Sequence, residues 1–199
     1  MPRIAGRMLV ASPYLTDENF FRSVIYLIRH DEEGAFGLVL NRPTTQSLGP
    51  AFADRLGHEP ARSDSIHVGG PVEGPLMALH TLPGLGEPCG PDCLRGDVDS
   101  PPDDLAGTSP LWLTADEDQL MALADRTDIR VKFIAGYSGW GVGQLDRELE
   151  QGGWLVGPPE WELIFADTET VWEELVKRLG REILGDIVRA PLGDDPQWN

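Results

Sequence analysis

Residues 23–41 read SVIYLIRHDEEGAFGLVLN. Two runs of β-branched, aromatic and aliphatic side chains, Ser23 to His30 and Phe36 to Asn41, are separated by little more than Asp31-Glu32-Glu33-Gly34. Two apolar runs joined by a short glycine-containing connection signal a β-hairpin. Asn41-Arg42-Pro43 breaks the second strand, because proline has no N–H to give to a ladder. Successive strand residues face opposite sides, so Val24, Tyr26 and Ile28 share a face with Arg22 and His30, and Val39 shares one with Asn41. The polar members stand at strand ends, where a rigid scaffold tends to carry function.

Strands and helices interleave irregularly along the rest of the chain. Met8 to Ala11, Ser65 to Val68, Leu76 to Leu82, Leu111 to Leu113 and Val131 to Ala135 read as strands, and so do the short runs Trp154 to Val156 and Glu162 to Phe165. Alternation puts Leu76, Ala78, His80 and Leu82 on one face. Leu48 to Leu56 reads as a short helix. A second helix starts at Thr114, where Glu117 three residues on completes a capping box, and Leu120, Leu123 and Ala124 form its apolar stripe. Gly143 to Gln151 reads as a third helix, stopped by Gly152-Gly153. Thr168 to Leu179 reads as a fourth, with Val171, Trp172, Leu175, Val176 and Leu179 on one face and Gly180 just past its end. Residues 84–110 are rich in Gly, Pro and Asp and read as a long surface loop, with room for an edge strand near Leu94 to Val98. Hairpin signals beside helix crossovers place the chain in the α+β class, as a single domain over residues 1–190 with a polar tail at 191–199.

Length and charge narrow the function. The 199 residues are ample for a hydrophobic core, and they carry 33 acidic against 16 basic side chains, a net charge of −17. A chain this negative repels the phosphates a nucleic-acid binder must neutralise, and it repels anionic membrane surfaces. No run is apolar enough to cross a bilayer, and the N-terminus lacks the apolar core of a secretory signal, so a cytoplasmic protein is expected. Cys89 and Cys93 have three residues between them, unlike the two of redox or zinc-ribbon motifs, and no second pair follows. They are either bystanders in a loop or a redox-labile disulfide. His30, His58, His67 and His80 show no metal-ligand spacing. No metal and no cofactor are expected.

The densest motif is Gly136-Tyr137-Ser138-Gly139-Trp140-Gly141-Val142-Gly143-Gln144. It fails as a nucleophile elbow, because Trp140 takes the last glycine position. It fails as a dinucleotide loop, because Gln144 does. Two readings remain: a glycine-rich turn that offers backbone N–H groups to an anion at the start of a helix, or glycines that let the chain turn tightly beneath Trp140. Exposure of Trp140 would mark a binding patch. Gly69-Gly70-Pro71 is a second tight turn.

The order of the blocks carries a family resemblance. GRMLVASPYLTDENFFRSVIYLIRH, EEGAFGLVLNRP, HVGGPV, MALHTLP, FIAGYSGWGVGQLDREL, WLVGP and ELIFADTETVWEELVKRLG together resemble the YqgE/AlgH family, also known as DUF179 or UPF0301, a group of uncharacterised bacterial proteins. The resemblance spans about residues 6–188. It implies a bent, bifurcated sheet forming a pseudo-barrel flanked by helices, with no known cofactor and no established reaction. Some members are labelled transcriptional regulators through a link to alginate production, but this sequence has no basic recognition helix. Ser138 stands where the family pattern has Ala, and Asp146 where it has Glu. The 84–110 loop is longer and more acidic than the pattern.

Two functional readings follow. In the first, the chain is a non-catalytic regulatory module that binds a small anionic ligand or a protein partner. Its site is a cleft formed by Asn41, Arg42 and Pro43, by Gly69 and Gly70, and by Tyr137, Gly139, Trp140 and Gln144. In the second, His30, His80 and Asp17 serve as acid–base groups of a hydrolase or transferase, which requires the two histidines to converge.

Overall fold

The computed structural model describes residues 4–89, 111–166 and 170–189. In chain order its elements are β1 (Met8–Ala11), β2 (Val24–Asp31), β3 (Gly34–Val39), β4 (Pro43–Ser47), α1 (Leu48–Leu56), β5 (Ser65–Val68), β6 (Val72–His80), β7 (Glu87–Pro88), β8 (Trp112–Thr114), α2 (Glu117–Ala124), β9 (Val131–Trp140), α3 (Gln144–Glu150), β10 (Trp154–Gly157), α4 (Trp161–Ile164) and α5 (Val171–Arg189). The strands run in the order β10-β1-β2-β3-β9-β6-β8-β7, with β4 and β5 joined on at β9. Among the described pairings, only β5 with β9 is parallel. The architecture is α+β: a curled, mostly antiparallel half-barrel sheet flanked by helices.

The curl originates in β9. One edge of this strand pairs with β6 from Val131 to Tyr137. The other edge takes β5 at Ile134 and Ala135, then β3 from Ser138 to Trp140. The sheet therefore forks along a single strand. Gly136 sits at the fork with φ +73°, a backbone state that side chains with a Cβ resist. Opposite it, β6 carries Glu73-Gly74-Pro75 between the pairs Val72↔Tyr137 and Leu76↔Ala135, three residues against one. Such a bulge bends the strand and raises its twist.

The fork separates two apolar clusters. Met8, Leu9, Val10, Ile25, Leu27 and Leu38 pack with Trp172, Leu175 and Leu179 of α5. Phe133, Val131, Ile66 and Ala78 pack with Leu48 and Phe52 of α1 and with Leu120 and Leu123 of α2. The Arg55–Glu117 ion pair ties α1 to α2 at the surface.

Several local expectations are corrected. Asp116, not Thr114, caps α2: its carboxylate accepts from Gln119 N–H at 3.0 Å. Thr114 stays in β8, and its hydroxyl accepts from Asp116 N–H at 3.1 Å. Residues 161–164 form α4 instead of a strand. Gly180 does not end the last helix, which continues to Arg189. Pro43 opens β4, a half-exposed strand on the sheet margin where a missing N–H is tolerated. Only the second part of the glycine-rich motif is a turn opening a helix: residues 136–140 are the second half of β9, and 141–143 turn into α3 with Gly143 at its N-cap. The proposed edge strand at 94–98, Cys93 and the polar tail lie outside the described residues. Cys89 is buried, and its carbonyl accepts from the Tyr26 hydroxyl at 2.9 Å.

Candidate functional site

The motif residues do meet in space, at the fork. Gly69 N–H donates to Ala135 O at 2.8 Å, and Gly69 O accepts from Val39 N–H at 2.9 Å. Val68 N–H donates to Arg42 O at 2.9 Å. Glycine is required where the backbones touch: a Cβ on Gly69 would stand 2.2 Å from Gly136 O and 2.7 Å from Ile134 Cγ2. Asn41 clips this joint to β2. Its Oδ1 accepts from Val24 N–H at 2.8 Å, and its Nδ2 donates to Arg22 O at 2.9 Å. The Ser138 hydroxyl, fully buried, donates to Gly69 O at 3.1 Å. The joint is packed shut, so the expected cleft between these motifs is filled by their own backbones.

Trp140 is buried at 4% exposure and forms no surface patch. It stacks on Phe20 with ring centroids 5.7 Å apart and meets Trp154 edge-on at 5.9 Å. Glu148 of α3 satisfies both indoles: its Oε2 accepts from Trp140 Nε1 at 3.0 Å and from Trp154 Nε1 at 2.8 Å. Gln144 donates to the other oxygen of Glu148 at 3.0 Å, while its own Oε1 accepts from Gly141 N–H at 3.1 Å. A buried indole N–H needs such a partner, and this carboxylate serves two at once. Tyr137 packs on Phe36 at 5.2 Å. Of the expected binding residues, Pro43 and Gly139 are exposed and Arg42 is half-buried.

The acid–base candidates do not converge. His30 pairs with Ala35, which pairs with Trp140 at the end of β9. His80 pairs with Val131 at its beginning. Nine residue steps of strand separate those positions, on the order of 25–30 Å before the bend is allowed for. His30 Nε2 lies 3.5 Å from Asp146 Oδ1. His80 is fully buried, its Nδ1 accepts from Leu82 N–H at 3.2 Å, and desolvation pushes its pKa down to about 4. Asp17 Oδ1 accepts from Asn19 N–H at 2.7 Å in a local turn. The two histidines of the acid–base reading therefore stand at opposite ends of β9.

Sequence reasoning missed a concave site at the other end of β9. A cavity of about 370 Å³ is lined by residues that include Arg62, Ser65, His67, Arg130, Lys132, Glu162 and Phe165. Lys132 and His67 form its floor at 3% and 2% exposure. Lys132 Nζ donates to Leu40 O at 3.1 Å and to Ala166 O at 2.6 Å, and lies 3.3 Å from His67 Nε2. His67 Nδ1 lies 3.2 Å from Ser65 O. These contacts fit a neutral imidazole that donates through Nδ1 and accepts the ammonium proton at Nε2. Arg62 is fixed by Asp64 at 2.5 Å and by the carbonyls of Arg126 and Ile129 at 2.7 and 3.2 Å. The signal was present in the strand alternation, where polar residues occupy an inward face. Among the described residues, no group of three or more His, Cys, Asp or Glu side chains could hold a metal ion, and no helix is long and apolar enough to cross a membrane.

The model of the DUF179 family, described as AlgH-like, matches residues 8–184. The chain belongs to this AlgH-like family. A UPF0301 protein of Streptomyces avermitilis is 34% identical over 98% of this chain and 95% of its own length. One of Methylocella silvestris is 38% identical over 88% of this chain and 84% of its own length. The solution structure of the AlgH protein from Pseudomonas aeruginosa covers 92% of this chain and 93% of that one, with a TM-score of 0.65 and 28% identity. A crystal structure from Corynebacterium diphtheriae shares the fold with a TM-score of 0.61 at 22% identity, covering 89% and 87%. In this AlgH-like chain the Ser138 hydroxyl donates to Gly69 O, and Asp146 faces His30.

Proposed function

We propose that this chain is a non-catalytic binding module whose fork presents Arg42 to a protein partner. The observation that carries this reading is the disposition of the titratable groups. His30 and His80 stand at opposite ends of β9, and Asn41, Ser138, Gln144 and Glu148 spend their polar atoms on internal hydrogen bonds. A reaction needs an acid, a base and a reacting atom within hydrogen-bond reach, and these groups offer no such arrangement. Arg42 donates to Phe21 O at 3.3 Å; burial lowers its pKa, and the nearby Asp17 charge opposes that shift. Phe21 is 55% exposed, and Val68 and Val72, which flank the Gly69-Gly70-Pro71 turn, are partly exposed as well. An arginine among apolar and aromatic side chains is the composition of an interface core. A partner supplying a carboxylate to Arg42 and apolar side chains to Phe21 fits it.

The test has two arms. Purified chain is assayed against ester and phosphoester panels, with no turnover above buffer expected. Turnover abolished by His30→Ala or His80→Asn would sink the non-catalytic reading. Proteins cross-linked to the wild type in a lysate of the source bacterium are compared with those captured by Arg42→Glu and Phe21→Ser. Loss of one abundant partner with both variants is expected, and an unchanged set would refute the docking face.

A further inference from the structure

The cavity at the beginning of β9 is built on a polar face of an otherwise apolar sheet. Ile66, Val131 and Phe133 turn toward α1 and α2. Strand alternation sends Ser65, His67, Arg130 and Lys132 to the other side, where Glu162 and Phe165 contribute the far wall. Buried polar residues in that position are informative because most strands place apolar side chains beneath a covering helix. The volume, about 370 Å³, lies at the low end of the range for small-molecule sites.

Charge selects the ligand. Arg62, Arg130 and Lys132 bring three cations to this one cavity in a chain of net charge −17. Arg62 is locked by Asp64 and two carbonyls, so it keeps its place without rearrangement. Arg130 is exposed, and its guanidinium makes no hydrogen bond or ion pair among the described residues, so it can meet an anion at the rim. Asp64 and Glu162 stand on the same lining and oppose a second negative charge. Phe165 supplies apolar wall.

We propose that this cavity binds a small organic monoanion: a monocarboxylate with a compact apolar or aromatic body, its carboxylate on Arg130 and its body against Phe165. The site commits to Arg130 and Phe165 and takes nothing from the Arg42 guanidinium, which donates to Phe21 O, so either assignment can fail without the other.

Benzoate, uncharged benzamide and dianionic phthalate are titrated separately into the full chain, with binding followed by amide chemical shifts. Saturable benzoate binding is expected, with benzamide and phthalate each weaker by about tenfold or more. Arg130→Ala should weaken benzoate by about tenfold or more, and Arg29→Ala, at the β2–β3 turn, should leave it unchanged. Absence of saturation with benzoate up to tens of millimolar would overturn the proposal. So would equal binding of benzamide, or an Arg130→Ala variant that keeps wild-type affinity and a well-dispersed spectrum. Phthalate binding as tightly as benzoate would overturn the monoanion assignment.

Discussion

The two ends of β9 are made from the same strand and do opposite things. At Gly136 to Trp140 the backbone is crowded by β3 and by the Gly69-Gly70 turn, and the polar side chains are consumed internally. At Arg130 to Lys132 the strand faces a cavity, and its side chains are long and charged. The family motif blocks are densest at the closed end. That density records where backbones must touch and where sheet halves diverge. The open end carries few glycines and no compact motif, yet it is the one with space for a ligand.

The contrast can be broken by mutation. The largest effect should come from Gly69→Ala, whose new methyl would press on Gly136 O at 2.2 Å. Backbone on backbone cannot yield cheaply, so a loss of about 4 kcal/mol is expected, read as a fall in melting temperature of roughly 8–16 °C or as insoluble protein. Gly57→Ala, where no atom lies within 4 Å of a new Cβ but φ is +72°, isolates the backbone conformational cost as a control and should lose only about 1 kcal/mol.

His80 tests the open end from within the core. Its folded pKa, about 4, lies below the ordinary 6.5, so the unfolded chain takes up the proton first as pH falls. Stability contributed by neutral His80 is therefore intact above pH 6.5 and lost between 6.5 and 4, by up to about 3 kcal/mol. Denaturant melts across that window should show the slope, and His80→Asn, which keeps an acceptor for Leu82 N–H, should flatten it.

Smaller losses are expected at the clips of the closed end. Glu148→Ala strands two indole N–H groups, and Asn41→Ala strands Val24 N–H and Arg22 O. Each should lose about 2 kcal/mol in chemical denaturation. A loss below about 0.5 kcal/mol for both would mean that the closed end is not held by these contacts. Arg130→Ala sits at the bottom of the series: its stability should stay within about 0.5 kcal/mol of the wild type, because the exposed guanidinium makes no hydrogen bond or ion pair among the described residues.

The sequence announced α1 and β5 over the residues the structure gives them, and the hairpin to within two residues at each strand end, because periodicity and turn chemistry are local there. It misread the glycine motif, since glycines that end a strand and glycines that let two strands touch look alike along one chain. Trp140 looked like a ligand platform because its partner Glu148 lies a helical element away and Phe20 over a hundred residues earlier. Asn41 looked like a reaching group for the same reason: both amide contacts cross to β2 and its approach. The cavity was passed over because His67 and Lys132 come from two strands whose adjacency depends on the parallel β5–β9 pairing. That pairing is long-range, and no local signal marks it.

The central claim is that β9 is architecture at one end and a binding surface at the other. A residue-resolved map of amide shifts during benzoate titration tests it most directly. The account predicts saturable shifts confined to residues 65–67, 129–132 and 162–165, with 35–39, 69–70 and 136–140 unmoved. Shifts clustered on the second group, or spread evenly over the sheet, would contradict it.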